Sequence, residues 1–354
     1  MDGVGGRRRR RAMLAGMSTS EILVARDHDA ALLRAARRRG EIERVRRGAY
    51  RAVPDGGTRP GDVPPGGGDG LDGRGAAGGR SYRAGWSAAR GLALDRARAV
   101  SAQLRAVHWC SHATAAMLHD LPLWRLPSAV HLVQGYRASS RAAVDVRRHL
   151  LEVPPEHRTR VLDLPATTLA RTVADCVTTL PPLEGLVVAD AALARGLDAE
   201  ESVAIVQGRR QGRRRGLLVL GLADPGAESP WETWLRYVAH WTGLPRPRTQ
   251  VPVETRLGRH RVDLGWPDHG VLAEFDGLVK YRAGAFGEAY DPERALVAEK
   301  RREDAIAEQT GCRPLRVTSK DAARPESVSH RLLARFPADV RRAVRRPALL
   351  TRPT

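Results

Sequence analysis

Gly258–Lys280 reads GRHRVDLGWPDHGVLAEFDGLVK, two alternating runs either side of a turn. In the first run Val262, Leu264 and Trp266 fall on one face, with Arg261 and Asp263 on the other. In the second, Ala273 and Phe275 oppose Glu274 and Asp276. Pro267-Asp268-His269-Gly270 supplies turn chemistry, with Pro at the first central position and Gly at the end. Pairing Trp266 with Val271 makes partner numbers sum to 537, which sets Asp263 across from Glu274 and Asp276 on the diagonal.

Side chains directly opposite on such a pair have Cβ atoms about 5 Å apart, diagonal ones about 7–8 Å, and like charges there repel. Three carboxylates on one patch need a counter-charge. An arginine such as Arg261, a shared proton or a bound divalent cation would serve. Mg²⁺ suits one or two carboxylates completed by water and phosphate oxygens.

The chain has 354 residues, room for two or three domains, and a net charge of +19. With a pI near 11.1, its expected partner is a polyanion, most simply nucleic acid. Arginine supplies 56 of the 59 basic residues; the lysines are Lys280, Lys300 and Lys320, all in the C-terminal third. Cys110, Cys176 and Cys312 are far apart and odd in number, which argues for a reducing cytoplasm rather than a disulfide framework. No apolar run reaches the roughly 18 residues a membrane helix needs. Arg7–Arg11 leads into Met13-Leu14-Ala15-Gly16-Met17 without a hydrophobic signal core, and Met1, Met13 and Met17 are all candidate starts.

Residues 1–17 read as a disordered basic tail. Ser18-Thr19-Ser20-Glu21 is expected to open a helix, Ala30–Arg39 a second helix ending at Gly40, and Ile42–Val53 two short strands around Gly48. Helices followed by a β-wing suggest a winged helix-turn-helix over 18–53, with Arg37, Arg38, Arg39, Arg46 and Arg47 as DNA contacts. Residues 54–82 are rich in Gly and Pro and poor in apolar side chains, the pattern of a disordered insertion. The middle section, 83–224, alternates helix and strand candidates, including helices over Leu92–Val107, Thr167–Val177, Leu183–Leu193 and Ala199–Val206. His108, Cys110 and His112 lack a fourth zinc ligand at a familiar spacing, so they read as ordinary core or surface residues. This section shows no constellation pointing to chemistry. Gln207–Gly216 is a charge run, and Asp224-Pro225-Gly226 marks a boundary.

Residues 225–340 read as a final α/β domain, with 341–354 a basic tail. Ser229-Pro230-Trp231-Glu232 is a capping box with Pro at the first helical position. Trp231, Trp234, Leu235, Val238 and Trp241 follow at helical spacing as far as Gly243. After the hairpin come a helix from Asp291 to Thr310, a strand over Arg313–Thr318 and a helix over Glu326–Phe336. The expected class is therefore α/β (α+β).

The blocks ESPWETWLR, GLPRPRTQVPV, HRVDLGWP, VLAEFDGLVKY, EKRREDAI and PLRVTSKD, in that order, resemble the DUF559 family of PD-(D/E)XK restriction-endonuclease-like proteins, kin to very-short-patch-repair endonucleases. STSEILVARDHDAALLRAARRRGEIERVRRGAY is similar to the winged helix of AbiEi-type antitoxins from type IV toxin–antitoxin systems. SHATAAMLH and LPATTLARTVADC resemble the rest of such two-part proteins. The first resemblance implies Mg²⁺ held by Asp263 and Glu274, with Glu232 completing the site. It also implies a lysine two residues after the glutamate, where this chain has Asp276; Lys280 or Lys300 would then take the lysine's role at the scissile phosphate. The leading expectation is a DNA-binding protein with a Mg²⁺-dependent endonuclease domain that hydrolyses phosphodiesters. Its rival is a non-catalytic antitoxin and transcriptional repressor with a cognate toxin as partner.

Overall fold

A computed structural model describes residues 21–53, 80–137, 143–276 and 292–354. The expected N-terminal tail and the Gly/Pro insertion lie outside the described residues, apart from the insertion's last few positions, where a helix begins. The fold is mixed α/β, with three sheets among the described residues. It forms two compact units. The first takes the described residues up to Thr168, except 80–83 and Asp120–Arg125, which group with Leu169–Thr354 in the second.

The first unit opens on β1 (Ile22–Val24), a 3-10 turn and α1 (Ala30–Arg38), then β2 (Ile42–Arg46) and β3 (Ala49–Ala52) in the sheet order β1-β3-β2. The expected first helix is corrected here: Ile22, Leu23 and Val24 pair antiparallel with Arg51, Tyr50 and Ala49. Their β-branched and aliphatic side chains gain more from burying Leu23 against Leu33, Ala36 and Ile42 than a single helical turn would offer. Asp29 caps α1 by accepting from the Ala31 and Leu32 amides. Gly48 turns β2 into β3 with φ +75°, a left-handed conformation that favours glycine.

A long helix, α2 (Arg80–Gln103), lies on a five-stranded sheet. It comprises β4 (Trp109–Cys110), β5 (Val130–Gln134), β6 (Val146–Leu150), β7 (Arg158–Val161) and β8 (Leu164–Thr167), in the order β6-β5-β4-β8-β7. Between β4 and β5 runs α3 (His112–Leu118), every residue of which is buried. Ala97 and Val100 of α2 join Cys110, Leu118, Val130, Leu132 and Ala166 in one core. The β7–β8 hairpin was not anticipated; Thr167, taken for a helix start, ends β8 instead.

The second unit begins with four helices, α4 (Leu169–Thr179), α5 (Pro182–Ala194), α6 (Ala199–Gln207) and α7 (Arg213–Leu222). α7 grows out of the charge run, entered through Gly212 at φ +72°. At its centre sits α8 (Pro230–Thr242), of which all thirteen residues are buried. Such a helix must satisfy its polar side chains internally. Asp190 of α5 does this, accepting from Thr233 Oγ1 (2.8 Å) and Arg236 Nη2 (2.5 Å) and from the Asp224 amide (2.9 Å). Asp224-Pro225-Gly226 is thus a turn inside this unit. Gly243 ends α8 at φ +89°, pressed so closely on the Arg345 backbone that a Cβ has no room.

A four-stranded sheet follows: β9 (Arg248–Thr255), β10 (Gly258–Trp266), β11 (Val271–Asp276) and β12 (Leu315–Thr318), in the order β12-β11-β10-β9. Three more helices complete the unit: α9 (Pro292–Thr310), α10 (Pro325–Leu333) and α11 (Ala338–Ala343). Residues 341–354 pack rather than trail: Leu350 is buried, Arg346 lies over Trp241 at 4.1 Å, and the Tyr237 hydroxyl donates to Thr351 O.

Candidate functional site

The hairpin at the heart of the sequence has the expected register. Leu264 pairs with Ala273, Gly265 with Leu272 and Trp266 with Val271, each summing to 537. β12 then runs parallel to β11, with Arg316 beside Glu274. The faces are not those of a regular alternation. Trp266 packs on Phe336 and Phe275 stacks on Trp231 at 4.8 Å, whereas Val262 joins Leu272, Val251, Val253 and Ile306 on the α9 side. The grouping of Val262 with Leu264 and Trp266 is therefore corrected. The strand changes face at Asp263, where Gln250 on β9 adopts φ +49° between the pairs Val262–Val251 and Leu264–Thr249. Gly265 suits this crowding, since a Cβ there would meet Val251 and Leu272 side chains at 2.8 and 2.9 Å.

Asp263 turns its carboxylate into the ladder, and Oδ2 accepts the Phe275 amide at 2.8 Å. Glu274 is buried, and Arg302 of α9 donates to its Oε1 at 2.6 Å while also holding Arg261 O at 2.9 Å. Arg316 reaches Asp276 at 3.5 Å and forms a closer ion pair with Glu299 of α9. Burial pushes the Glu274 carboxyl above its ordinary range, and repulsion from Asp263 adds to this, while Arg302 and Arg316 pull it back. The counter-charge is thus two guanidiniums from α9 and β12. Arg261 instead faces Glu228, 3.3 Å away.

The remaining expected residues are dispersed. Glu232 works as the capping glutamate, accepting from the Glu228 amide and Ser229 Oγ, each at 2.9 Å, and from Gln250 Nε2, also at 2.9 Å. Lys300 is exposed on α9. Lys280 lies outside the described residues. A cleft of about 480 Å³ opens beside the same sheet, lined by Val251, Val253, Leu272, Thr310 and Cys312 among others, but no member of the carboxylate patch lines it.

Among the expected DNA contacts, Arg37, Arg38, Arg39 and Arg47 are exposed, with Arg39 also pairing with Glu41 at 3.0 Å. Arg46 is committed elsewhere: it forks onto both carboxylate oxygens of Asp145 at 2.8 and 2.9 Å and touches Gln103. Arg34 and Arg44 are exposed in the same region and were passed over. Arg34 stands three and four residues before Arg37 and Arg38, so these three share one face of α1.

Sequence reading also missed a group of histidines in the middle section. His112, His131 and His149 come from α3, β5 and β6, and their ring nitrogens lie within 4.8 Å of one another. The strand parity of His131 and His149 held the signal, but nothing in the order of the chain tied either to His112.

No family model matches the chain. Over 124 residues it is 33% identical to two uncharacterized proteins of Mycobacterium tuberculosis, MT2308 of strain CDC 1551 and Rv2248 of strain H37Rv. That match covers 34% of this chain and 45% of each relative, so the chain spans under half the length of the curated relatives it matches. Among the described residues, no helix is long and apolar enough to cross a membrane.

Proposed function

We propose that the protein is a DNA-binding regulator whose second unit has the frame of a metal-dependent nuclease but a carboxylate patch closed by arginine. The observation that carries this reading is the pair of guanidiniums: Arg302 on Glu274, and Arg316 between Asp276 and Glu299. Mg²⁺ needs those carboxylate oxygens for itself, and Asp263 Oδ2 is also engaged, by a backbone amide. The residues as arranged do not fit the ion. Asp276, standing where the resemblance to DUF559 implies a lysine, points the same way.

DNA binding is supported by charge and its placement. Arg34, Arg37, Arg38, Arg39, Arg44 and Arg47 are exposed within one small sheet-and-helix module of a chain with net charge +19. The resemblance of that module to AbiEi-type antitoxins makes transcriptional repression the use, and a cognate toxin the protein partner.

Fluorescence anisotropy with duplex DNA over a salt series tests the binding. Neutralising about five phosphates gives a log–log slope near −4.5, and replacing Arg34, Arg37 and Arg38 with Ala should flatten it by about 2–3. An unchanged slope, or no binding at low salt, rejects this surface. A plasmid-nicking assay with Mg²⁺ or Mn²⁺ tests the rest: no cleavage is expected. Cleavage that disappears in Asp263→Asn would restore the endonuclease reading.

A further inference from the structure

We propose that His112, His131 and His149 form a three-imidazole site for a borderline divalent metal ion, zinc foremost, with water as the fourth ligand. The three rings come from positions far apart in the chain, and only the fold brings them together. His131 Nδ1 and His149 Nε2 are 3.1 Å apart. Around a tetrahedral ion with Zn–N bonds of about 2.05 Å, neighbouring ligand nitrogens stand about 3.3 Å apart, so these two already have the spacing of a chelating pair. Without metal these two nitrogens share a hydrogen bond, which a bound ion would replace.

His112 completes the set. Its ring lies 3.7 Å, centroid to centroid, from that of His149 and 5.6 Å from that of His131. Ser111 Oγ engages His112 Nδ1 at 2.9 Å, the orienting contact that metal-bound imidazoles usually have, and presents Nε2 as the ligand atom. The backbone of His112 sits at φ +52° although the residue is fully buried. Non-glycine residues rarely adopt that region, so the ring is held in place at the expense of its own backbone.

Metal binding requires neutral imidazole. Three imidazole nitrogens without thiolate match Zn²⁺ and its borderline neighbours rather than Mg²⁺ or Ca²⁺. His131 and His149 are only half-buried, which leaves the fourth position open to solvent. Arg147 beside the site disfavours a second cation and favours water, hydroxide or an anion at that position.

The test is calorimetric titration of ZnCl₂ into metal-stripped, untagged full-length protein, followed by Co²⁺ substitution. One ion per chain and the visible absorption band of tetrahedral cobalt are expected. His131→Gln and His149→Gln should each abolish saturable binding, Ser111→Ala should weaken it about tenfold, and His119→Gln should leave it unchanged. Circular dichroism checks that each variant is folded. The wild-type result stands without them: no saturable Zn²⁺ binding overturns the proposal, as does binding that survives both histidine substitutions.

Discussion

The histidine cluster and the carboxylate patch solve opposite problems. In the patch, like charges are brought together in a largely buried place, and the fold supplies Arg302 and Arg316 to offset them. In the cluster, groups that can be charged are brought together, and burial followed by the charges of His149 and Arg147 resists protonation of His131 instead. One region carries its counter-ions in its own sequence. The other leaves its ring nitrogens to an ion from outside. The patch has the residue types expected of a metal site, yet the cluster has the better electrostatics for one.

Acid should separate the two most strongly. The depressed pKa of His131 means that the folded state resists a proton which the unfolded chain accepts from about pH 6.5 downward. Stability is therefore full above that pH and falls away toward pH 4, by about 3 kcal/mol for a shift of this size. His240 on α8, lowered to about 3 by burial and by Arg236 and Arg246, acts in the same sense. Glu274 acts in the opposite one: its raised pKa means that acidification relieves the buried charge. Unfolding midpoints over pH 7 to 4 should drop steeply in wild type and less steeply in His131→Gln. Equal slopes would dissolve the contrast.

Removing a guanidinium comes next. Arg302→Met leaves Glu274 buried beside Asp263 without its partner. A fully buried pair broken in this way costs about 3–5 kcal/mol, and since Arg302 is 31% exposed the expected loss is nearer 2. Chemical denaturation measures it, and adding Mn²⁺ to the variant sharpens the question. Stabilisation by Mn²⁺ in Arg302→Met but not in wild type would show that arginine stands in the cation's place.

Asp263 gives the smallest effects. Asp263→Ala removes the acceptor of the Phe275 amide and should cost about 1 kcal/mol. Asp263→Asn keeps an acceptor and removes the repulsion on Glu274, so its unfolding midpoint should match wild type. A loss as large in Asn as in Ala would mean that the charge, and not the hydrogen bond, is what matters there.

Much of the second unit was legible in the sequence. Ser229, Pro230 and Gly243 bound a helix by local rules that need no tertiary knowledge, and Pro267–Gly270 sets the hairpin register by length alone. Two kinds of information were not local. Ile22–Val24 becomes a strand because β3 is there to pair with it, and no capping signal reports that. The switch of faces at Asp263 depends on the left-handed backbone of Gln250, a residue with no intrinsic preference for it. For the site residues the lesson is similar. The carboxylates Glu274 and Asp276 stand two residues apart along β11, but their partners Arg302 and Arg316 sit 28 and 42 residues away from Glu274 on other elements. The histidines are separated by 19 and 18 residues, without the short repeat by which zinc sites are usually recognised.

The three cysteines have a practical consequence. Cys110 and Cys176 are buried and their thiols are raised by burial, to about 12 for Cys110, so neither reacts readily near neutral pH. Cys312 is half-exposed and packs against the Val262–Leu272 cluster under α9. A maleimide fluorophore or spin label added to the unmodified chain should therefore attach at one known point, on the sheet that carries the carboxylate patch, and report on movement of α9 without any engineered residue.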